Sequence, residues 1–163
     1  MGIRNAAKAV IIDRGRILVN KNLNSLGDMC YGLPNGAIYY DLPGGGQNQY
    51  ETLEEAVTRE CLEETGHTVI VDRLAAIYEE ISMNEKFRAE YEGYAHKVHF
   101  VFLCHLAGEP MRPLAEKDLD MLESVWVNIA DVGKLPLYPL IINARLMSIV
   151  ESDTVLYLGS ERV

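Results

Sequence analysis

Between Gly45 and Gly66 the chain is bound to form a helix whose start obeys every local rule and whose end breaks several. Thr52 and Glu55 fit a capping box, and Gly66 supplies a C-terminal stop. On a helical wheel Leu53, Val57, Glu60 and Glu64 share one stripe, apolar at first and acidic in the last two turns, with Glu63 beside Glu60. Like charges at i and i+4 cost roughly 0.2–0.5 kcal/mol. Carboxylates near a helix C-terminus oppose its dipole by about 0.3–1 kcal/mol each. These costs are small but share one sign, and such clustering is expected where a site is built. A hard divalent cation such as Mg2+, which takes carboxylate and carbonyl oxygens, relieves all of them. The plainer alternative is a solvated acidic face.

The spacing decides between the two. The run Gly45-x5-Glu51-x7-Arg59-Glu60-Cys61-x-Glu63-Glu64-x-Gly66 resembles the signature of the Nudix hydrolases, G-x5-E-x7-R-E-U-x-E-E-x-G-U, with U a bulky aliphatic residue. Every polar and glycine position matches. Cys61 and His67 stand where aliphatics are usual, but these are packing positions, and cysteine packs as a small hydrophobe. Before the run, Asp41-Leu42-Pro43-Gly44-Gly45-Gly46 looks like the family's entry loop. Later, Glu123 with Trp126-Val127 resembles its E-x-x-W-V strand.

The resemblance implies an α+β Nudix fold, a mixed β-sheet sandwiched between helices, spanning residues 1–163 as a single domain. It implies Mg2+, with Mn2+ as a substitute, held by Glu60, Glu64, Glu63 and the Gly45 carbonyl. Glu64, Glu63, Arg59, Glu51 and Glu123 are the implied catalytic set, in which Arg59 and Glu51 pair to hold the loop against the helix. Glu64, Glu116 and Glu123 stand open as the general base, since geometry decides that role. The implied reaction is hydrolysis of the diphosphate linkage of a nucleoside diphosphate joined to another moiety. Nucleotide sugars such as ADP-ribose, oxidised nucleoside triphosphates, dinucleoside polyphosphates and capped or triphosphorylated RNA are the candidate substrates. A non-catalytic nucleotide-sensing domain on the same scaffold is the alternative, although such domains usually lose box carboxylates. Isomerisation of a diphosphate ester ranks last. Homodimers are common in the family.

Elsewhere the pattern is plainer. Residues 6–12 and 17–19 are apolar around the turn Asp13-Arg14-Gly15 and read as a hairpin. Residues 22–36 read as a loop, 38–42 as a short strand stopped by Pro43 and three glycines. Residues 69–81 and 94–106 read as long strands joined by a charged, mobile loop over 82–93. A strand over 124–127, a core helix over 137–150 and a last strand over 154–158 complete the set. Tyr39 or Tyr40 is expected to pack, while Tyr91 and Tyr94 stay open between packing and ligand stacking. His96, His99 and His105 are too spread for a metal site and read as strand residues.

Composition sets the outer limits. With 163 residues and 15 basic against 24 acidic side chains, the net charge is −9. That charge disfavours nucleic acid as a partner and makes a bridging metal useful for binding an anionic diphosphate. No run of about 18 apolar residues suggests a membrane span. The N-terminus lacks a secretory pattern, and three scattered cysteines fit free thiols in the cytoplasm.

Overall fold

The computed structural model describes residues 2–109 and 120–163, so Glu116 lies outside the described residues. Strands β1 (Arg4–Asp13) and β2 (Arg16–Leu23) form the expected hairpin, pairing Ile12 with Ile17 and Asp13 with Arg16. Arg14 (φ 49°) and Gly15 (φ 74°) make its tight turn, and two successive left-handed residues match the natural twist of paired strands. Strand β3 (Ile38–Asp41) pairs antiparallel with β2, and β4 (Gly44–Gly46) antiparallel with β1. Strands β5 (Val69–Ile81) and β6 (His96–Leu106) form a long antiparallel pair. Strand β6 runs parallel to β1, β7 (Met121–Asn128) antiparallel to β2, and β8 (Leu156–Arg162) parallel to β5. The result is a mixed sheet in the order β3-β2-β1-β6-β5-β8, with β4 on β1 and β7 on β2.

Alternation along β1 sends Ala7, Ala9 and Ile11 to one face and Val10 to the other. The first face packs against helix α1 (Leu53–Thr65) through Ala56, Val57 and Cys61; Cys61 is fully buried beside Phe102 and Cys104. On the opposite face lies α3 (Leu140–Glu151), with Ile142, Leu146 and Ile149 against Val101, Ala75 and Ala76. The fold is therefore α+β, a mixed sheet between helices.

Four details differ from the sequence reading. The glycines after Pro43 do not stop a strand; they are one, because β1 and its neighbours approach too closely for side chains. A Cβ on Gly44 would lie 2.1 Å from the Ala7 carbonyl oxygen, and one on Gly45 would lie 2.6 Å from the Glu60 carboxylate. The supposed loop over 82–93 contains a short helix α2 (Glu85–Glu90), started by Asn84, whose side chain accepts from the Phe87 N–H at 3.0 Å. The last helix begins after Pro139 rather than at Leu137, which is itself buried. Finally, the buried stripe of α1 runs Ala56-Val57-Cys61-Thr65, one residue away from the stripe read off the wheel. Glu60 and Glu64 flank the core instead of interrupting it.

Candidate active site

The capping box of α1 forms in both directions, Thr52 Oγ1 accepting from Glu55 N–H and Glu55 Oε2 from Thr52 N–H. At the other end Gly66 (φ 73°) closes the helix in the left-handed region. With both ends fixed, the acidic side chains project toward β4 and β2.

Arg59 organises one half of them. Its Nε and Nη2 donate to Glu51 at 2.7 and 2.9 Å, its Nη1 to Glu60 at 2.7 Å and Glu63 at 3.2 Å. Nη2 also donates to the Gly46 carbonyl at 3.0 Å, which ties the helix to β4. Glu51 in turn accepts from the Asn48 N–H at 2.9 Å. Hydrogen bonding to Arg59, helped by that amide and opposed by burial, holds the Glu51 carboxyl at about 2. The expected Glu51–Arg59 pair is present, and the guanidinium offsets most of the repulsion that the sequence alone left unexplained.

Glu64 lives differently. Among the described residues no cation pairs with it; Oε2 accepts from Asn20 Nδ2 at 2.7 Å and from the Gly44 N–H at 2.8 Å. Burial pushes its carboxyl up to about 7, the Asp41 charge adding to the shift while Lys8 and the two donors oppose it. Asn20 is oriented by Ser124, whose Oγ donates to its Oδ1 at 2.8 Å. Nearby, Lys8 Nζ donates to Asp41 Oδ2 and the Leu42 carbonyl at 3.1 Å and to the Gly44 carbonyl at 2.5 Å. Burial would lower the Lys8 pKa, but Asp41, Glu64 and Glu60 outweigh it and raise it.

Glu64 and Lys8 open onto a cleft of about 560 Å³ on the α3 side of the sheet. Arg4 lines it too, its guanidinium 4.4 Å from the Tyr94 ring centre and with no ion-pair partner among the described residues. Tyr39 and Tyr91 line the cleft, whereas Tyr40 packs into the core beneath α3. Of the histidines, His96 pairs with Glu79 at 2.8 Å and His105 with Asp72 at 2.7 Å, while His99 is buried at the cleft wall. Glu123 is not brought to the site. It is exposed, 3.5 Å from Lys21, and follows the alternation that turns its neighbour Ser124 toward Asn20.

Sequence reasoning missed Arg4, Lys8, Asn20 and Asp41. One signal was available: Asn20, Asn22 and Asn24 recur at period two through the end of β2, interleaved with Lys21 and Leu23. Asn22 donates to Asp41 Oδ1 at 2.9 Å, and Asn24 clamps the following loop through the carbonyls of Gly27, Leu33 and Pro34.

Residues 2–145 match the family model of the NUDIX domain. The chain belongs to the Nudix family. Among solved structures it is similar to a MutT NUDIX hydrolase from Burkholderia pseudomallei, at 25% identity and TM-score 0.58, covering 93% of this chain and 98% of that one. It is also similar to an ADP-ribose pyrophosphatase from Streptococcus suis 89-1591, at 18% identity and TM-score 0.61, with 96% and 99% covered. A mutator MutT protein from Bacillus halodurans aligns at 21% identity and TM-score 0.65, covering 98% of this chain and 90% of that one. No curated protein matches the chain. Family membership, with every polar position of the signature in place, makes this a Nudix-type pyrophosphohydrolase.

Nudix enzymes generally use divalent metal cations. Among the described residues no three acidic, histidine or cysteine side chains already converge on one centre. The donor set nevertheless fits such an ion. Glu60 Oε2, Glu63 Oε1 and Glu64 Oε1 each lack a hydrogen-bond partner among the described residues, while the second oxygen of each is anchored. The Glu60 carboxylate lies where a Gly45 side chain would be. Hard oxygens on fixed carboxylates suit Mg2+. Among the described residues no helix is long and apolar enough to cross a membrane.

Proposed function

We propose that this Nudix chain hydrolyses the diphosphate linkage of a nucleoside diphosphate joined to another moiety, either a nucleotide sugar or a modified nucleoside triphosphate. The observation that carries the reading is one cleft lined by a half-buried carboxyl raised to about 7, Glu64, and by an arginine, Arg4, with no acidic partner among the described residues. Arg4 is free to take a phosphate bidentately, the geometry a guanidinium favours. Lys8 adds positive charge beside it while anchoring the entry loop through Asp41, Leu42 and Gly44. In a protein of net charge −9 these local cations are what an anionic ligand would meet.

Glu60, Glu63 and Glu64, with the Gly45 carbonyl, would hold Mg2+, or Mn2+ in its place. Bound there, the ion supplies positive charge to the phosphoryl oxygens and acidifies the attacking water. Arg59 and Glu51 position the helix end through their bidentate pair. Glu64 lines the cleft whereas Glu123 lies exposed beside Lys21, so its place in the site makes Glu64 our general base, ahead of Glu123 on the far face. We read residues 1–163 as one Nudix domain that works in the cytoplasm, where Cys30, Cys61 and Cys104 stay as the free thiols seen here.

A hydrolysis panel of nucleoside diphosphate derivatives with Mg2+, with products identified by mass spectrometry, tests the reading. A nucleoside monophosphate is the expected product. Binding without turnover across the whole panel and all of Mg2+, Mn2+ and Zn2+ would leave a sensing domain as the better description.

A further inference from the structure

The far wall of the same cleft carries polar groups that the hydrolytic reading does not use. Glu80, Lys97 and His99 lie there on one face of β5 and β6, with Glu80 opposite Lys97 and Tyr78 opposite His99. Glu80 is 4% exposed and His99 3%. Lys97 Nζ bonds Glu80 Oε1 at 2.6 Å, which leaves Glu80 Oε2 with no partner among the described residues. Both ring nitrogens of His99 are also without partners there. Unmade hydrogen bonds on buried polar groups cost enough that native proteins rarely keep them. All three atoms are closed to solvent, so a ligand that satisfies them must turn the Glu80 and His99 side chains toward the cleft they line.

The neighbours limit what that ligand is. Tyr31 stacks on Tyr138 at 4.3 Å between ring centres and meets Tyr39 edge-on at 6.1 Å, and all three line the cleft. Aromatic faces favour a flat ring. Lys97 also pairs across β6 and β1 with Arg4, so the phosphate-binding arginine and Glu80 sit on strands two apart. Neighbouring strands are about 4.8 Å apart, so Arg4 and Glu80 stand roughly 10 Å apart across the sheet, which leaves room for a sugar between phosphate and ring.

We propose that this wall reads the base of the substrate, and that it selects a lactam edge, a ring N–H beside a carbonyl. This rests on the cleft being the nucleotide site. The free Glu80 oxygen accepts and cannot donate, so it needs a ring N–H. Lys97 donates and cannot accept, so it needs a carbonyl. Guanine and uracil present that pair. Adenine and cytosine present a bare ring nitrogen at the corresponding place, whose lone pair would face the carboxylate. His99, neutral and able to donate from one nitrogen and accept at the other, completes either lactam ring.

Binding of GMP, UMP, AMP and CMP to the metal-free protein, measured by calorimetry, tests this without any turnover. GMP and UMP are expected to bind at least about tenfold more tightly than AMP and CMP, since a site built to hydrogen-bond rejects the analogue that leaves its polar groups unpaired. In the hydrolysis assay the preference should lie in KM, and Glu80→Gln, whose amide can donate, should shrink it below about threefold. Because Glu80→Gln strands Lys97, the double variant Glu80→Gln/Lys97→Met is measured beside it, and melting curves confirm folding. Equal binding of all four nucleotides, or discrimination unchanged in a folded Glu80 variant, overturns the proposal. Hydrolysis without base preference would sink this inference alone; base preference without hydrolysis would sink only the catalytic reading.

Discussion

Glu51 and Glu64 belong to one signature, yet the fold treats their carboxyls in opposite ways. At the Arg59 end the carboxylates share a cation, and Glu51 is held at about 2. At the Gly44 end Glu64 meets only neutral donors in a buried setting and sits at about 7. The contrast teaches that the signature's acids are not interchangeable ligands. Those near Arg59 are tied to its guanidinium and give the helix end its place. Glu64, in the metal-free protein, holds its proton up to about pH 7, so it is the acid of the signature whose charge burial controls.

The largest expected effect breaks that contrast on the side of chemistry. Glu64→Gln should lower kcat by roughly 10²–10⁴-fold, the range a positioned proton acceptor contributes, with an unchanged circular dichroism spectrum. Full turnover in that variant would remove Glu64 from the mechanism. The second effect is thermodynamic. A carboxyl raised from 4.5 to about 7 on folding stabilises the metal-free protein below pH 4.5 and withdraws that stability as pH rises through 7. By itself this is worth about 3 kcal/mol. His99 works the other way, since burial lowers its pKa and its stability is lost on acidification. The clean reading is therefore the difference between wild type and Glu64→Gln in urea unfolding at pH 5 and pH 8. The variant should gain relative to wild type at the higher pH, and a difference that does not vary with pH would refute the raised carboxyl.

Arg59 carries the third test. Arg59→Ala removes the cation bonded to three carboxylates, Glu51, Glu60 and Glu63, and its half-buried geometry sets the cost at about 2 kcal/mol, below the 3–5 kcal/mol of a fully buried pair. If Arg59 does for the apo helix what a metal does for the loaded one, Mg2+ should raise the melting temperature of Arg59→Ala by more than that of wild type. Equal shifts would separate the two roles. Acid unfolding below pH 4.5 should also come earlier in this variant, because Glu51 loses the interaction that lowers its pKa and the stability normally lost only as pH falls toward 2.

These contrasts explain how much could be read beforehand. The helix and its caps were legible because Thr52, Glu55 and Gly66 act through bonds within a few residues. So were the hairpin and long strands, whose periodicity is local. The triple glycine misled, because what makes Gly44 to Gly46 a strand is β1 passing 2.1 Å from a missing side chain, a contact with a distant segment. The α1 stripe was misplaced by one residue for a similar reason: Cys61 becomes core only once Phe102 and Cys104 pack with it. Within the site, the signature marked which acids belong together but not how they differ. Asn20 and Gly44, which donate to Glu64, come from other strands, as do Lys8 and Asp41, whose charges act on it.

The smallest expected effect is also the sharpest check on that division. Glu123 belongs to a looser resemblance than Glu64 does, and strand alternation sends it to solvent beside Lys21 while Ser124 turns to Asn20. An exposed pair of this kind contributes about 0–1 kcal/mol. Glu123→Gln should therefore change stability by less than about 0.5 kcal/mol and kcat by less than about threefold, measured beside Glu64→Gln on the same substrate. Ser124→Ala, one residue along, frees Asn20 from the hydroxyl that orients it and should cost more, about 1 kcal/mol in stability with a visible fall in kcat. A reversal of that order, with Glu123→Gln the slower enzyme, would mean that β7 turns its other face to the substrate during turnover, and the role of proton acceptor would pass from Glu64 to Glu123.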